Sequence, residues 1–163
     1  MKLLQEIKFL LYDARGRVLT TVNSAMVQTY WHIGRLIVED EQAGNSRAEY
    51  GKKQLDILSQ ELIFEFGRGF DITNLRNMRK FYLTFPKQDA LRLELSWTHY
   101  RTLIRIENIK ARDWYLKEAI DQNWSSRALE RQVSKLYYER LLSSQEKTPV
   151  IQESEEKTKL LQT

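Results

Sequence analysis

The amino-acid sequence predicts an all-α protein, and three observations predict it. Apolar residues recur at three- and four-residue spacings along most of the chain, the period that lines one face of a helix. Turn punctuation is sparse, with six Gly and two Pro in 163 residues, too few for a sandwich or barrel. Good N-cap residues stand immediately before several of the periodic runs. With 42% hydrophobic and 29% charged residues, the chain has enough apolar mass for a packed core and does not read as disordered.

Taken in order, Leu3, Leu4, Ile7, Leu10 and Leu11 form a first helical stripe over residues 1–14. Gly16 is expected to weaken or end it. A second stripe, Val18, Leu19, Val22, Met26, Tyr30, Ile33 and Ile37, predicts a helix over 17–41, so residues 1–41 read as a long helical hairpin. Glu39, Asp40 and Glu41 oppose the helix dipole at its C-terminal end, where fraying is expected. Gly44, Asn45 and Ser46 mark a loop. Leu55, Leu58, Leu62 and Phe66 carry the next helix, closed by Gly67 or Gly69. Asp71 or Thr73 caps a helix over 74–85 that buries Leu75, Met78, Tyr82 and Phe85 and stops at Pro86. The alternation in DALRLEL admits a short β-wing near 87–95. Ser96 or Thr98 caps a short helix, ARDWYLKEAIDQN forms another, and Ser125 caps a last one over 126–141 with Leu129, Val133, Leu136 and Tyr137 inward. The expected organisation is a helical domain over 1–142, made of the long helices 1–41 and a helix-turn-helix bundle over 47–142. A polar tail or linker, without structure of its own, follows over 143–163.

Several function classes are excluded or disfavoured. The chain has no cysteine, which removes disulfides, thiolate zinc sites and cysteine nucleophiles. No apolar run approaches the length of a membrane span, and the charged N-terminus lacks a signal-peptide core, so a cytoplasmic protein without membrane contact is expected. His32 and His99 have no metal-ligand spacing around them. Glu155-Glu156-Lys157 matches half of a metal-dependent nuclease motif but lies in the polar tail with no strand beside it. No phosphate-binding glycine loop or hydrolase motif is present, so neither cofactor, metal nor catalytic residue is expected.

Charge points instead to a polyanion. Net charge is +4, and residues 67–92 hold six Lys/Arg against two Asp/Glu, a local excess that favours nucleic acid. The run from Leu55 to Phe85 reads helix, glycine turn, helix, the layout of a DNA-binding helix-turn-helix, though an ordinary helical hairpin has the same layout. With the apolar stripe inward, Asn74, Arg76, Asn77, Arg79 and Lys80 remain for base edges and phosphates. A second set follows: Arg101 and Arg105 at i, i+4, then Arg127, Arg131 and Lys135 at i, i+4, i+8, a row suited to phosphates. Trp97, Trp114 and Trp124 read as core residues wedged between helices.

Five strings, NSAMVQTYWHIGRLI (23–37), YGKKQLDILSQELIFEFGRGF (50–70), NLRNMRKFYLTF (74–85), LSWTHYRTLIRI (95–106) and WSSRALERQVSKLYYERL (124–141), together resemble the N-terminal domain of the bacterial YhcG family over about residues 15–142. That resemblance implies a winged-helix or helix-turn-helix fold and a DNA-recognition or assembly role. It also implies a C-terminal PD-(D/E)xK nuclease-like domain in a longer parent protein, one that 163 residues do not reach. The run LSWTHYRTLIRI, then a helix, then WSSRALERQV is more distantly similar to the helix-turn-helix of ParB-like proteins. The expected function is therefore DNA binding as the targeting half of a nuclease-type protein, with no catalysis by this stretch. The alternative is a protein-interaction module that forms a homodimer through helices 1–41 without touching nucleic acid.

Overall fold

The structure, a computed structural model, describes residues 2–43, 48–144 and 148–162. The described residues are helical and contain no strand. They fall into two compact units, Met1–Glu94 and Leu95–Thr163.

The first unit is built on α1, a continuous helix over Lys2–Gln42. The expected break at Gly16 does not occur. A single interior glycine costs about 1 kcal/mol relative to alanine, which 41 residues of helix absorb. No left-handed cap forms there, and the Thr20 hydroxyl donates to the Gly16 carbonyl across one turn at 3.0 Å. The loop expected at Gly44, Asn45 and Ser46 lies outside the described residues. α2 spans Ala48–Phe66 and ends where Gly67 takes φ 97°, a conformation glycine adopts without strain. One 3₁₀ turn, Arg68–Phe70, leads into α3, Ile72–Thr84. Asp71 is its N-cap and accepts from the Asn74 amide at 2.7 Å.

α3 packs on the C-terminal half of α1. Leu75, Met78 and Phe81 are fully buried and Phe85 nearly so. The apolar band is therefore broader than one stripe: Phe81 takes the central place expected for Tyr82, which is half-buried edge-on to Trp31 with ring centroids 5.3 Å apart. The Trp31 indole N–H donates to the Phe85 carbonyl at 2.7 Å, closing the end of α3. The acidic end of α1 is held rather than frayed. Arg79 donates from Nε to both Glu41 carboxylate oxygens at 2.9 Å, and Arg35 pairs with Glu39 at 3.0 Å. Cations supplied by α3 and by the preceding turn thus offset the unfavourable dipole. We expect Arg79→Ala to cost about 1 kcal/mol, and a double-mutant cycle with Glu41→Ala should recover most of it as coupling. Chemical denaturation of the four proteins measures this.

The stretch expected to form a wing is not a strand. Gln88–Ala90 is a second 3₁₀ turn, and residues 91–96 run without ladder partners. Alternation over seven residues, with no second strand to pair, cannot build a ladder.

The second unit holds α4 (Trp97–Leu103), α5 (Ile109–Asp121), α6 (Ser126–Ser134), α7 (Tyr137–Ser143) and α8 (Thr148–Gln162). Ser96, Asn108 and Ser125 cap the first three, each accepting from the backbone N–H three residues on. The core is Tyr100, Leu103, Ile104, Tyr115, Ala128 and Leu129. Trp124 is buried, and half-buried Trp114 packs against Tyr115, Tyr137 and Tyr138. The single helix expected over 126–141 is two: Leu136 takes the left-handed conformation (φ 53°) between them and is 55% exposed rather than inward.

Residues 143–163, expected to be a tail without structure, hold α8, which packs on α6 and α7. Its docking is polar, which is why hydrophobic periodicity does not reveal it. Buried Gln132 on α6 donates to the Ser154 carbonyl at 3.4 Å and to the Thr158 hydroxyl, both residues being buried. Glu153 bridges Lys157 and Arg140, and hydrogen bonds from these two cations hold its carboxyl at a pKa of about 2. Gln132→Ala removes the donor to that buried hydroxyl and the second bond to the Ser154 carbonyl, at a cost of about 1–3 kcal/mol. The expected result is loss of amide exchange protection in 148–162 while α4 and α5 stay protected.

Candidate nucleic-acid interface

In the first unit the candidate face is on α3. Burying Leu75, Met78 and Phe81 on α1 turns Thr73, Arg76, Lys80 and Leu83 to solvent, and all four are exposed. No acidic residue occurs anywhere in α3. Arg76 and Lys80 sit one turn apart and form no ion pair among the described residues, so their charge is available to an anion. Their neighbours are committed elsewhere. Arg79 is engaged by Glu41, and the Asn74 side-chain amide donates one of its two N–H groups to the Gly69 carbonyl at 3.0 Å, which ties it to the preceding turn. Asn77 is half-buried. Arg68 and Lys87, exposed just before and after α3, extend the basic character of its ends. Helical-face reasoning passes over both, because neither lies on the helix.

In the second unit the cations are less concentrated. Arg101 is exposed on α4, but Arg105 lies in the turn beyond it, so the two do not share a helix face. Arg105 reaches Glu130 of α6 at 3.8 Å. On α6, Arg127 is exposed and Arg131 half-buried, while Lys135 is the C-cap residue. With Ala128, Leu129 and Gln132 buried, Glu130 falls on the outward face beside Arg127 and interrupts the basic row.

His99 has a purely structural setting. It is buried, its Nδ1 lies 3.1 Å from the Ser96 backbone nitrogen, and its Nε2 lies 2.8 Å from the Trp124 carbonyl. The backbone N–H can only donate and the carbonyl can only accept, so the ring is neutral with its proton on Nε2. Burial pushes its pKa below the ordinary histidine value, against the opposing pull of the Trp124 carbonyl. Among the described residues no group of three or more His, Cys, Asp or Glu is placed to hold a metal ion, and no helix is long and apolar enough to cross a membrane.

Comparison with known proteins places this architecture. Residues 6–140 match the DUF1016 N-terminal domain. The chain is also 34% identical over 173 aligned positions to the Escherichia coli (strain K12) protein named "Putative nuclease YhcG", an alignment covering 86% of this chain and 46% of that protein. The chain thus corresponds to less than half the length of this relative. No solved structure matches it. With the domain match running through most of both helical units, the protein belongs to the DUF1016 N-terminal domain family, as its YhcG-like motifs imply.

Proposed function

We propose that this chain is the DNA-targeting module of a nuclease-type protein of the bacterial cytoplasm, with the outward face of α3 as its primary contact. The single observation that carries this reading is the acid-free helix that turns Arg76 and Lys80 to solvent while its apolar side is fixed on α1. A rigid scaffold presenting unpaired cations at helical spacing suits a phosphate backbone, whose neutralisation releases counterions. Arg101, Arg105, Arg127, Arg131 and Lys135 form the secondary surface, weakened by Glu130. In this reading the stretch has no catalytic role and needs no cofactor, and cleavage belongs to a C-terminal nuclease domain in a longer parent protein. The nuclease name of the relative, which is more than twice as long as the aligned region, supports that division.

The double variant Arg76→Ala/Lys80→Ala is expected to bind DNA at least tenfold more weakly, with helical content and melting temperature nearly unchanged, since both side chains are exposed. Glu61→Ala, exposed on α2, is the control. Fluorescence anisotropy on single- and double-stranded oligonucleotides reads the effect. Equal affinity for variant and parent removes α3 from the interface.

A second reading, a protein-interaction module without nucleic-acid contact, is favoured by one feature: the apolar side chains of the N-terminal half of α1 stand exposed among the described residues.

A further inference from the structure

Two apolar features of the first unit are left uncovered among the described residues, and they complement one another. The first is the N-terminal arm of α1. Ten large apolar side chains between Leu4 and Met26 stand 41–68% exposed, Phe9 and Tyr12 the most. Most helical stability in proteins comes from packing of an apolar face, and monomers rarely leave an apolar surface this long uncovered. The second is a groove of about 350 Å³ between the C-terminal half of α1 and α2, lined by Ile33, Leu36 and Ile37 on one side and Leu55, Leu58 and Leu62 on the other. Leu36 on its wall is 56% exposed.

The two features lie on one continuous face. Leu4, Ile7, Leu11, Val18, Val22 and Met26 follow a 3.6-residue period that carries on to Ile33 and Leu36, about nine turns in all. We propose that two copies of the chain pair through antiparallel α1 helices, the arm of each lying in the α1–α2 groove of the other. Charge selects a second copy as the occupant and sets its direction. Residues 2–17 hold four Lys/Arg against two Asp/Glu, whereas the described residues 39–43 and 48–65, which include the groove's second wall, hold seven Asp/Glu against two Lys/Arg, with Glu39 and Glu41 already paired to Arg35 and Arg79. Within the arm, Lys2 and Arg17 have Glu6 and Asp13 beside them at 4.0 and 3.3 Å, while Lys8 and Arg15 form no ion pair among the described residues. Antiparallel helices centred on Val22 set Leu11 opposite Ile33 and Ile7 opposite Ile37 of the second copy, with Lys8 within a turn of its Asp40. The pairing is isologous and closes as a dimer. A parallel pairing sets Lys8 against Lys8 and Arg15 against Arg15, and it leaves the groove empty. This pairing does not depend on DNA binding.

Sedimentation of the full chain over a range of concentrations is expected to give a dimer. Ile7→Glu/Leu11→Glu on the arm and Leu36→Glu on the groove wall should each raise the dimer dissociation constant at least tenfold, with little change in the melting of the packed α1–α3 core. Neither a chain that is monomeric throughout nor a dimer that persists in these variants is compatible with the proposal. Direction is read by disulfide capture, the chain having no native cysteine. Ile7→Cys and Leu36→Cys proteins should cross-link when mixed and not when oxidised separately, because in an antiparallel pair the two copies of position 7 are about 45 Å apart. Self-cross-linking of Ile7→Cys would mean parallel arms and overturn the arrangement.

Discussion

Gly34→Ala is expected to destabilise the first unit by about 3 kcal/mol, at the upper end for an overpacked core site. A Cβ built at position 34 would lie 2.0 Å from the Met78 carbonyl oxygen and 2.7 Å from its carbon, with Tyr82 Cβ at 3.2 Å. Both nearest atoms are backbone of α3, so no rotamer change relieves the clash and the two helices must separate. Separation loosens Leu75, Met78 and Phe81, all fully buried, and pulls the Trp31 indole from the Phe85 carbonyl. The gain in helix propensity, about 1 kcal/mol, does not offset this. Gly16→Ala is the matched control: nothing lies within 4 Å of its Cβ, so that change should be neutral or stabilising. Thermal melting of the pair reads the contrast, and about 3 kcal/mol corresponds to a fall on the order of 10–20 °C for a unit of this size. Because α3 carries Arg76 and Lys80, Gly34→Ala should weaken DNA binding as well, without touching either of those side chains.

The second large effect is expected at His99. His99→Ala removes a buried ring that joins the start of α4 to the turn before α6, leaving the Ser96 N–H and the Trp124 carbonyl unpaired. The cavity and the two missing hydrogen bonds together should cost about 2–4 kcal/mol in the second unit. The same residue gives a pH signature. Its folded pKa is depressed, so below the unfolded value of about 6.5 the unfolded chain takes up the proton first. The His99 contribution is therefore complete at neutral pH and is lost as pH falls from about 6.5 toward the folded pKa, with a slope of up to about 1.4 kcal/mol per pH unit. Denaturant melts of parent and His99→Ala at a series of pH values should diverge at neutral pH and converge on acidification. Parallel curves would mean that the ring is protonated without cost.

What is legible in the sequence is what short-range rules control. Asp71, Ser96 and Ser125 are readable as caps because an oxygen before a periodic run has a local role. All-α class and the inward placement of Leu75, Met78 and Leu129 follow from spacing. The differences between expectation and structure have tertiary or polar causes. Gly16 suggests a break, but one glycine does not end a helix without a capping geometry. α8 has the composition of a tail because it docks through Gln132, Ser154 and Thr158, which carry no hydrophobic period. Leu136 fits an inward position only if the helix is unbroken, and its left-handed backbone resets the phase. At the candidate site, periodicity exposes Arg76 and Lys80 but cannot show Arg79 held by Glu41, a partner 38 positions away. Nor can it show that Arg105 leaves the helix and meets Glu130.

Neutralisation of phosphates by the α3 face is read from the salt dependence of DNA affinity. Binding of the parent chain should fall steeply between roughly 50 and 200 mM salt, linearly in log–log form. Arg76→Ala/Lys80→Ala should lower that slope by about two, one for each phosphate no longer neutralised, and Glu61→Ala should leave it unchanged. A parent affinity that does not respond to salt, or an equal slope in the double variant, would exclude the α3 face as the phosphate contact.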